Sequence, residues 1–126
     1  MRLLAIGALG LATVPTPIVQ TGFLTPTGNI ACNAGHEPGS TRPLLACTVF
    51  SAASAKRGQK LWAMYAEGPV SVGFVMGNAA TDLPRLAYGR TWSWHGLRCS
   101  SLAAGLSCAN RSSHGFFLSR EEQRVY

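Results

Sequence analysis

Four cysteines in a chain of 126 residues constrain the fold more than any other feature. They are Cys32, Cys47, Cys99 and Cys108, and four cysteines allow three disulfide connectivities. Each couple that is consecutive in sequence flanks a turn-rich stretch between two apolar segments, which favours the pairs Cys32–Cys47 and Cys99–Cys108. A zinc site would need C-x-x-C-like spacing, which this sequence lacks. The cysteines therefore predict two local disulfides, which persist in an oxidising compartment.

The N-terminal residues have the pattern of a secretory signal. Arg2 precedes an apolar run from Leu3 to Val14, which is shorter than the roughly 20 residues needed to cross a bilayer and fits a signal peptide. We predict a signal peptide over residues 1–20, cleaved near residues 18–22, and one exported domain over 21–126. That domain would be secreted or lie in the periplasm or cell envelope. A retained N-terminal anchor and a buried N-terminal helix are the alternatives.

Short apolar runs separated by dense turn residues predict strands rather than helices. The fold class we expect is mainly β, a small antiparallel sandwich or barrel-like domain with two local disulfides. Ser119 and Glu122 fit a capping box, which predicts a short helical turn over residues 120–126. The predicted strands are Phe23–Thr25, Asn29–Cys32, Leu44–Phe50, Lys60–Ala66, Val70–Met76, Ala87–Trp94, Gly96–Cys99, Leu106–Cys108 and Gly115–Leu118.

The chain is basic, with a formal net charge of +6 from 11 Lys and Arg against 5 Asp and Glu. Positive charge on an exported domain favours anionic partners such as envelope polymers, acidic glycans or lipid headgroups. The arginines are scattered along the chain, so a generally solvated basic surface is the alternative. We expect a monomer whose partner is an anionic envelope polymer or a secreted protein. We expect neither a nucleic-acid partner nor a cofactor.

The acidic and histidine residues form no recognisable catalytic pattern. Asp82 is the single aspartate, and the four glutamates give no pair of carboxylates of the kind that a glycosidase needs. His36, His95 and His114 lack the spacing of a local metal-ligand pair. The sequence therefore favours a non-enzymatic binding module. A hydrolase that uses His95 or His114 and a structural or assembly component are the other two hypotheses.

An alternating stretch supplies most of the candidate binding residues. Arg90, Trp92 and Trp94 alternate with small polar residues, and alternate residues of a strand share a face. One interpretation is a platform for sugar rings or cations. The other interpretation places both tryptophans in the core. The full candidate set is Arg90, Trp92, Trp94, His95 and His114.

Several segments together resemble a known family. The stretches Phe23–Cys32 (FLTPTGNIAC), Leu86–Trp92 (LAYGRTW), Gly105–Asn110 (GLSCAN) and His114–Arg120 (HGFFLSR) are similar to motifs of uncharacterised exported bacterial proteins, classed as a domain of unknown function. That family has no assigned activity, so the resemblance implies only export and fold.

The chain departs from this family in its middle segment. Members often carry a further cysteine pair there, where this sequence has Gly58 and Val75. Because both cysteines of that additional pair are absent here, the resemblance implies that the four remaining cysteines pair among themselves. It also predicts that the middle hairpin depends on ordinary packing, with Trp62, Tyr65 and Phe74 as its anchors.

Overall fold

The computed structural model describes residues 14–51, 60–73 and 80–126, which form ten strands in two five-stranded antiparallel sheets and no helix. No membrane-spanning helix therefore occurs in this part of the chain. The first sheet contains β1 (Ile18–Leu24), β2 (Ile30–His36), β3 (Leu44–Val49), β4 (Leu61–Tyr65) and β5 (Ser71–Gly73). The second contains β6 (Thr91–Trp94), β7 (Leu97–Leu102), β8 (Gly105–Ala109), β9 (Gly115–Leu118) and β10 (Gln123–Val125).

Within each sheet every strand pairs with its neighbours in sequence. The orders are β1-β2-β3-β4-β5 and β10-β9-β8-β7-β6. Both sheets are therefore simple meanders, and a single core cluster with side chains from both lies between them. The predicted fold class, a small antiparallel β domain, is confirmed as a two-layer arrangement.

The central strands β2, β3 and β4 of the first sheet are buried on both faces, as their sequences explain. Every residue of β3 is buried, and such continuous apolar strands are typical of sheets covered on two sides. Leu45 and Met64 face the second sheet. Leu44 and Leu61 face the other way and pack with Val14. Ala80 lies at this outer face, where its backbone N donates a hydrogen bond to Asn33 Oδ1 at 3.1 Å.

The second sheet alternates between buried and exposed side chains, as expected for a sheet with one solvated face. In β7, Leu97, Cys99 and Ser101 are buried, whereas Arg98 and Leu102 are exposed. The inner residues complete the core against the first sheet, and the outer residues leave a surface of small and basic side chains. This outer face carries the candidate site.

Both predicted disulfides are present, and each joins neighbouring strands of one sheet. Cys32 and Cys47 are register partners on β2 and β3, with Cα atoms 4.1 Å apart. Cys99 and Cys108 are register partners on β7 and β8, with Cα atoms 4.0 Å apart. The sequence separations are 15 and 9 residues, so each bridge contributes roughly 2.5–3 kcal/mol in the chain-entropy model. Neither bridge connects the two sheets.

The predicted C-terminal helical turn is wrong. Glu122 N does donate to Ser119 Oγ, at 2.9 Å, as a capping box requires. Ser119 N, however, donates to Glu122 O at 2.8 Å, which reverses the chain so that β10 pairs with β9. Pairing with β9 satisfies more backbone groups than one helical turn would, and it brings the Arg124 guanidinium to 4.8 Å from the Phe117 ring centroid.

Other strand boundaries differ from the predictions where tertiary pairing extends or shortens a segment. β2 continues to His36, although a loop was expected from residue 33, because it pairs with β1 and β3 throughout. Tyr88 and Gly89 form a turn, so β6 begins only at Thr91.

Trp62 is a core anchor as predicted. Most of the predicted signal peptide, together with Gly58, Phe74 and Val75, lies outside the described residues.

A buried asparagine side chain ties the two sheets together at one end. Asn110 Nδ2 donates to Tyr65 O at 2.9 Å and to Gly68 O at 2.7 Å, in the β4–β5 turn. Its Oδ1 accepts from the backbone N–H groups of Ser112 and His114 in its own β8–β9 turn. Asn110 is 8% exposed. We refer to Asn110 and these two turns as the Asn110 clamp.

We predict that Asn110→Asp destabilises the protein by about 3 kcal/mol, because it removes two buried donors and aims a carboxylate at two carbonyl oxygens. Urea denaturation measures the change in the free energy of unfolding. Asn29→Asp is the matched control, since Asn29 also bonds through both side-chain atoms, to Ser51, but at an exposed position. We expect the control to lose less than about 1 kcal/mol. Equal losses of unfolding free energy in the two variants would contradict the stabilising role of Asn110.

Candidate functional site

A groove of about 390 Å³ opens on the second sheet beside the Asn110 clamp. The β6–β7 hairpin supplies one side and the end of β8 supplies the other. We call it the basic groove. Its lining residues are Ser93, Trp94, His95, Gly96, Leu97, Arg98, Ala109, Asn110 and Arg111.

A two-residue turn shapes one rim of the basic groove. Trp94 and Leu97 pair, so His95 and Gly96 form the turn, with φ of 46° and 86°. Positive φ at both central residues is the geometry of a type I′ hairpin turn. A Cβ at Gly96 would lie 2.9 Å from Arg111 Cγ. The glycine therefore both permits the turn and lets the Arg111 side chain lie across it.

The ionisable residues that line the basic groove are all basic. His95, Arg98 and Arg111 line it, and no acidic residue does. Among residues 14–51, 60–73 and 80–126, the ion pairs are Arg120–Glu121 and Arg124–Glu122, so neither groove arginine is neutralised by a carboxylate in this part of the chain. Guanidinium groups bind carboxylate and phosphate through paired charge-assisted hydrogen bonds. The groove can therefore hold an anionic group.

Small hydroxyl side chains continue across the sheet from the basic groove. Thr91, Ser100 and Ser107 are successive register partners on β6, β7 and β8, and they share the outer face with Arg98. The same row continues to Phe117 and Arg124. The row is therefore polar from Thr91 to Ser107 and carries an aromatic and then a basic side chain beyond Ser107.

Trp92 and Trp94 of the predicted aromatic platform stack on each other, with ring centroids 6.4 Å apart, but the core covers part of both rings. Trp92 and Trp94 lie half-buried against the core cluster, with the Trp92 ring centroid 5.3 Å from that of Phe23. Arg90 precedes β6, is exposed, and accepts a hydrogen bond from Ser101 N through its carbonyl. Trp94 contacts His95 edge to face at 4.6 Å. Of the five predicted binding residues, only these last two line the basic groove.

The two histidines of the hydrolase hypothesis have no catalytic partners in the part of the chain that the structure describes. His114 Nδ1 lies 3.3 Å from Tyr126 O, and its backbone N–H belongs to the clamp. The His95 side chain contacts the Trp94 ring. No hydrogen bond joins either ring to a described side-chain carboxylate or hydroxyl group, and no described cluster of three His, Cys, Asp or Glu side chains could hold a metal.

Sequence reasoning missed both arginines of the basic groove. The position of Arg98 was predictable from the sequence, because Leu97 and Cys99 point inward and strand alternation places Arg98 outward. The position of Arg111 was not predictable from the sequence, since it depends on the β8–β9 turn, where Arg111 N donates to Ala66 O at 2.9 Å. A local pattern could reveal the first residue but not the second.

A second polar cluster, also missed, lies beyond the clamp. The Tyr65 hydroxyl donates to Glu37 Oε1, and the Arg42 guanidinium lies 3.7 Å from the centre of the Tyr65 ring. Burial first, and then the hydrogen bond to Glu37, raises the pKa of Tyr65 to about 12. Tyr65 is therefore a neutral hydrogen-bond donor and not a nucleophile at neutral pH.

We predict that this tyrosine makes the protein sensitive to alkali. The Tyr65 pKa rises from 10.0 to about 12 on folding, so the stability that it provides is complete below pH 10 and is lost as pH rises from 10 through 12. Glu37→Gln keeps an acceptor but removes the negative charge, and it should lower the pKa of Tyr65. Absorbance titration at 295 nm and melting temperatures across this pH window test both statements. An unchanged alkaline melting profile in Tyr65→Phe would refute them.

Comparison with known proteins assigns a family but no activity. No curated protein matches the chain, and no solved structure matches it. A family model described as a family of unknown function (DUF6636) matches residues 63–126. The matched residues include the end of β4, β5 and the whole second sheet with the basic groove. The match covers half of the chain, and this protein belongs to that family of unknown function.

Proposed function

We propose that this protein is an exported, non-enzymatic binding domain that holds an anionic group of an envelope polymer in the basic groove. The observation that carries the proposal is that two arginines and one histidine line a single groove with no carboxylate among its lining residues. A cleft lined by one sign of charge concentrates ligands of the opposite sign. The formal net charge of +6 acts in the same direction.

The shape of the outer face favours a polymer over a single small anion. The hydroxyl row of Thr91, Ser100 and Ser107 extends the polar surface away from the basic groove. Neighbouring strands lie about 4.8 Å apart, so this row offers hydrogen bonds over a length greater than one sugar or phosphate unit. Weak contacts along a repeating chain then add to the ion pair in the groove.

We predict that Arg98→Ala and Arg111→Ala each weaken binding of polygalacturonate about five- to tenfold, because each removes a charge-assisted hydrogen-bond donor. Arg42→Ala is the matched control, since it removes the same charge from a residue that does not line the groove and lies over the Tyr65 ring. We expect this control to change the affinity less than about twofold. Calorimetry measures all three variants.

Two further ligands test which chemical group the groove binds. Fully methyl-esterified polygalacturonate lacks the negative charge and should not bind, while poly(glycerol phosphate) tests phosphate in place of carboxylate. Equal losses in Arg42→Ala and the groove variants would show attraction to net charge alone. That outcome would overturn the site.

We also propose that the chain is exported through its N-terminal apolar segment. Both disulfides are compatible with an oxidising compartment. The expected cleavage window of residues 18–22 falls inside β1, where Ile18 pairs with His36 and where Phe23, 2% exposed, enters the core. Removal of β1 residues would take away part of the first sheet. We therefore place the end of the leader before Ile18.

We predict that the protein recovered from the exported fraction begins between residues 14 and 18 and retains both disulfides. Intact-mass measurement, before and after reduction, gives the N-terminus and the number of bridges together. An N-terminus beyond Ile18 would contradict the placement of the leader. Recovery of the chain with residues 1–13 still attached would contradict cleavage altogether.

A further inference from the structure

A second opening lies at the end of the molecule opposite the Asn110 clamp. It is a cleft of about 450 Å³ between the two sheets. The β1–β2 turn, the β7–β8 turn and the β9–β10 turn surround it, and Tyr88 stands at its edge. We call it the open-end cleft.

The two ends of the sheet pair are held very differently. At the clamp end, the Asn110 side chain, Arg111 N and Ser112 Oγ all bond to the β4–β5 turn. At the cleft end, one exposed hydrogen bond joins the described turns of the two sheets directly, from Arg120 Nε to Ser51 Oγ at 3.3 Å. The connecting segment along one side bonds to both sheets, through Leu86 N to Leu24 O and Gly89 N to Ser101 O. The inner faces therefore separate at this end and leave space.

The walls of the open-end cleft are apolar and its rim is electrically balanced. Ile30, Leu106 and Leu118 come from the inner faces of the two sheets. At the rim, Arg120 Nη1 lies 3.6 Å from Glu121 Oε2. The cleft therefore offers apolar contact without a net charge, in contrast to the basic groove.

One polar group inside this apolar lining has no partner. Ser101 is 1% exposed and lies on the inner face of β7, two residues after Cys99. Its hydroxyl is the one buried side-chain polar atom in the described residues without a hydrogen bond. Thr25, which also lines the cleft, is satisfied, since its Oγ1 accepts from Ile30 N at 3.1 Å. A buried hydroxyl without a partner is costly.

We propose that the open-end cleft binds an uncharged amphipathic small molecule. Its apolar body lies between Ile30, Leu106 and Leu118, and its hydroxyl or carbonyl oxygen pairs with Ser101. The cleft volume of about 450 Å³ is within the range of small-molecule sites, about 300–1,000 Å³. This ligand is chemically distinct from the anionic polymer of the basic groove, and the inference does not depend on that proposal.

Titration of the full-length, isotope-labelled protein with 1-octanol tests the proposal by NMR. We expect saturable amide shifts confined to the cleft, centred on Ala103, Ala104 and Leu118. Octanoate, which has the same chain length but a charge, should bind more weakly. Ser101→Ala should weaken 1-octanol about three- to tenfold, the effect of one hydrogen bond. Ser100→Ala, on the outer face of the same strand, is the control and should leave the affinity unchanged.

Three results would overturn this inference. The first is equal 1-octanol affinity in Ser101→Ala and the unmodified protein. The second is a set of shifts that maps to the outer face, or tighter binding of octanoate than of 1-octanol. The third is a clear drop in melting temperature for Ser101→Ala, which would show that an internal water already satisfies the hydroxyl. Arg98→Ala should bind 1-octanol normally, which separates this site from the basic groove.

Discussion

The carboxamide of Asn110 is the interaction on which the arrangement of the two sheets depends. A primary amide combines two donors and an acceptor on one short planar group. In this protein the donors reach the carbonyls of Tyr65 and Gly68 in one sheet, while the acceptor holds the turn of the other. The two disulfides stiffen each sheet separately and do not join them. The relative position of the sheets therefore rests on the apolar core and on the hydrogen bonds around Asn110, to which Arg111 N and Ser112 Oγ also contribute.

Local features of the fold were predictable, and features that depend on distant pairing were not. The cysteine couples and strand β3 follow from turn residues and apolar runs, because both signals act over a few residues. The C-terminal helical turn was wrong, since Ser119 and Glu122 form the expected hydrogen bond in a hairpin as readily as in a helix. Of the basic groove, Trp94 was identified from strand alternation and His95 as a candidate histidine. Arg111 was not identified, because its position depends on the β8–β9 turn and not on a local sequence pattern.

Strand β7 shows how one short segment serves two chemically different sites. Arg98 and Ser101 are three residues apart, so the period of two places them on opposite faces of the sheet. Arg98 lines the basic groove near one end of the strand, and Ser101 lies in the open-end cleft near the other. Cys99, between them in sequence, is bonded to Cys108 and fixes the strand that carries both. The two proposed ligands, an anionic polymer and an uncharged amphipathic molecule, would thus lie on opposite faces of the same strand.

The clamp has a consequence for the production of this protein in foreign hosts. Asn110, Arg111 and Ser112 form an N-x-S acceptor for asparagine-linked glycans. In a eukaryotic secretory pathway the sugar would be attached to the nascent chain, on the same nitrogen that must later donate to both Tyr65 and Gly68. The glycan would remove one of those hydrogens and place a bulky group where 8% of the residue is exposed. Glycosylated chains would therefore lose at least one of the two hydrogen bonds from Asn110 to the first sheet, whereas hosts that do not modify this sequence would leave both intact.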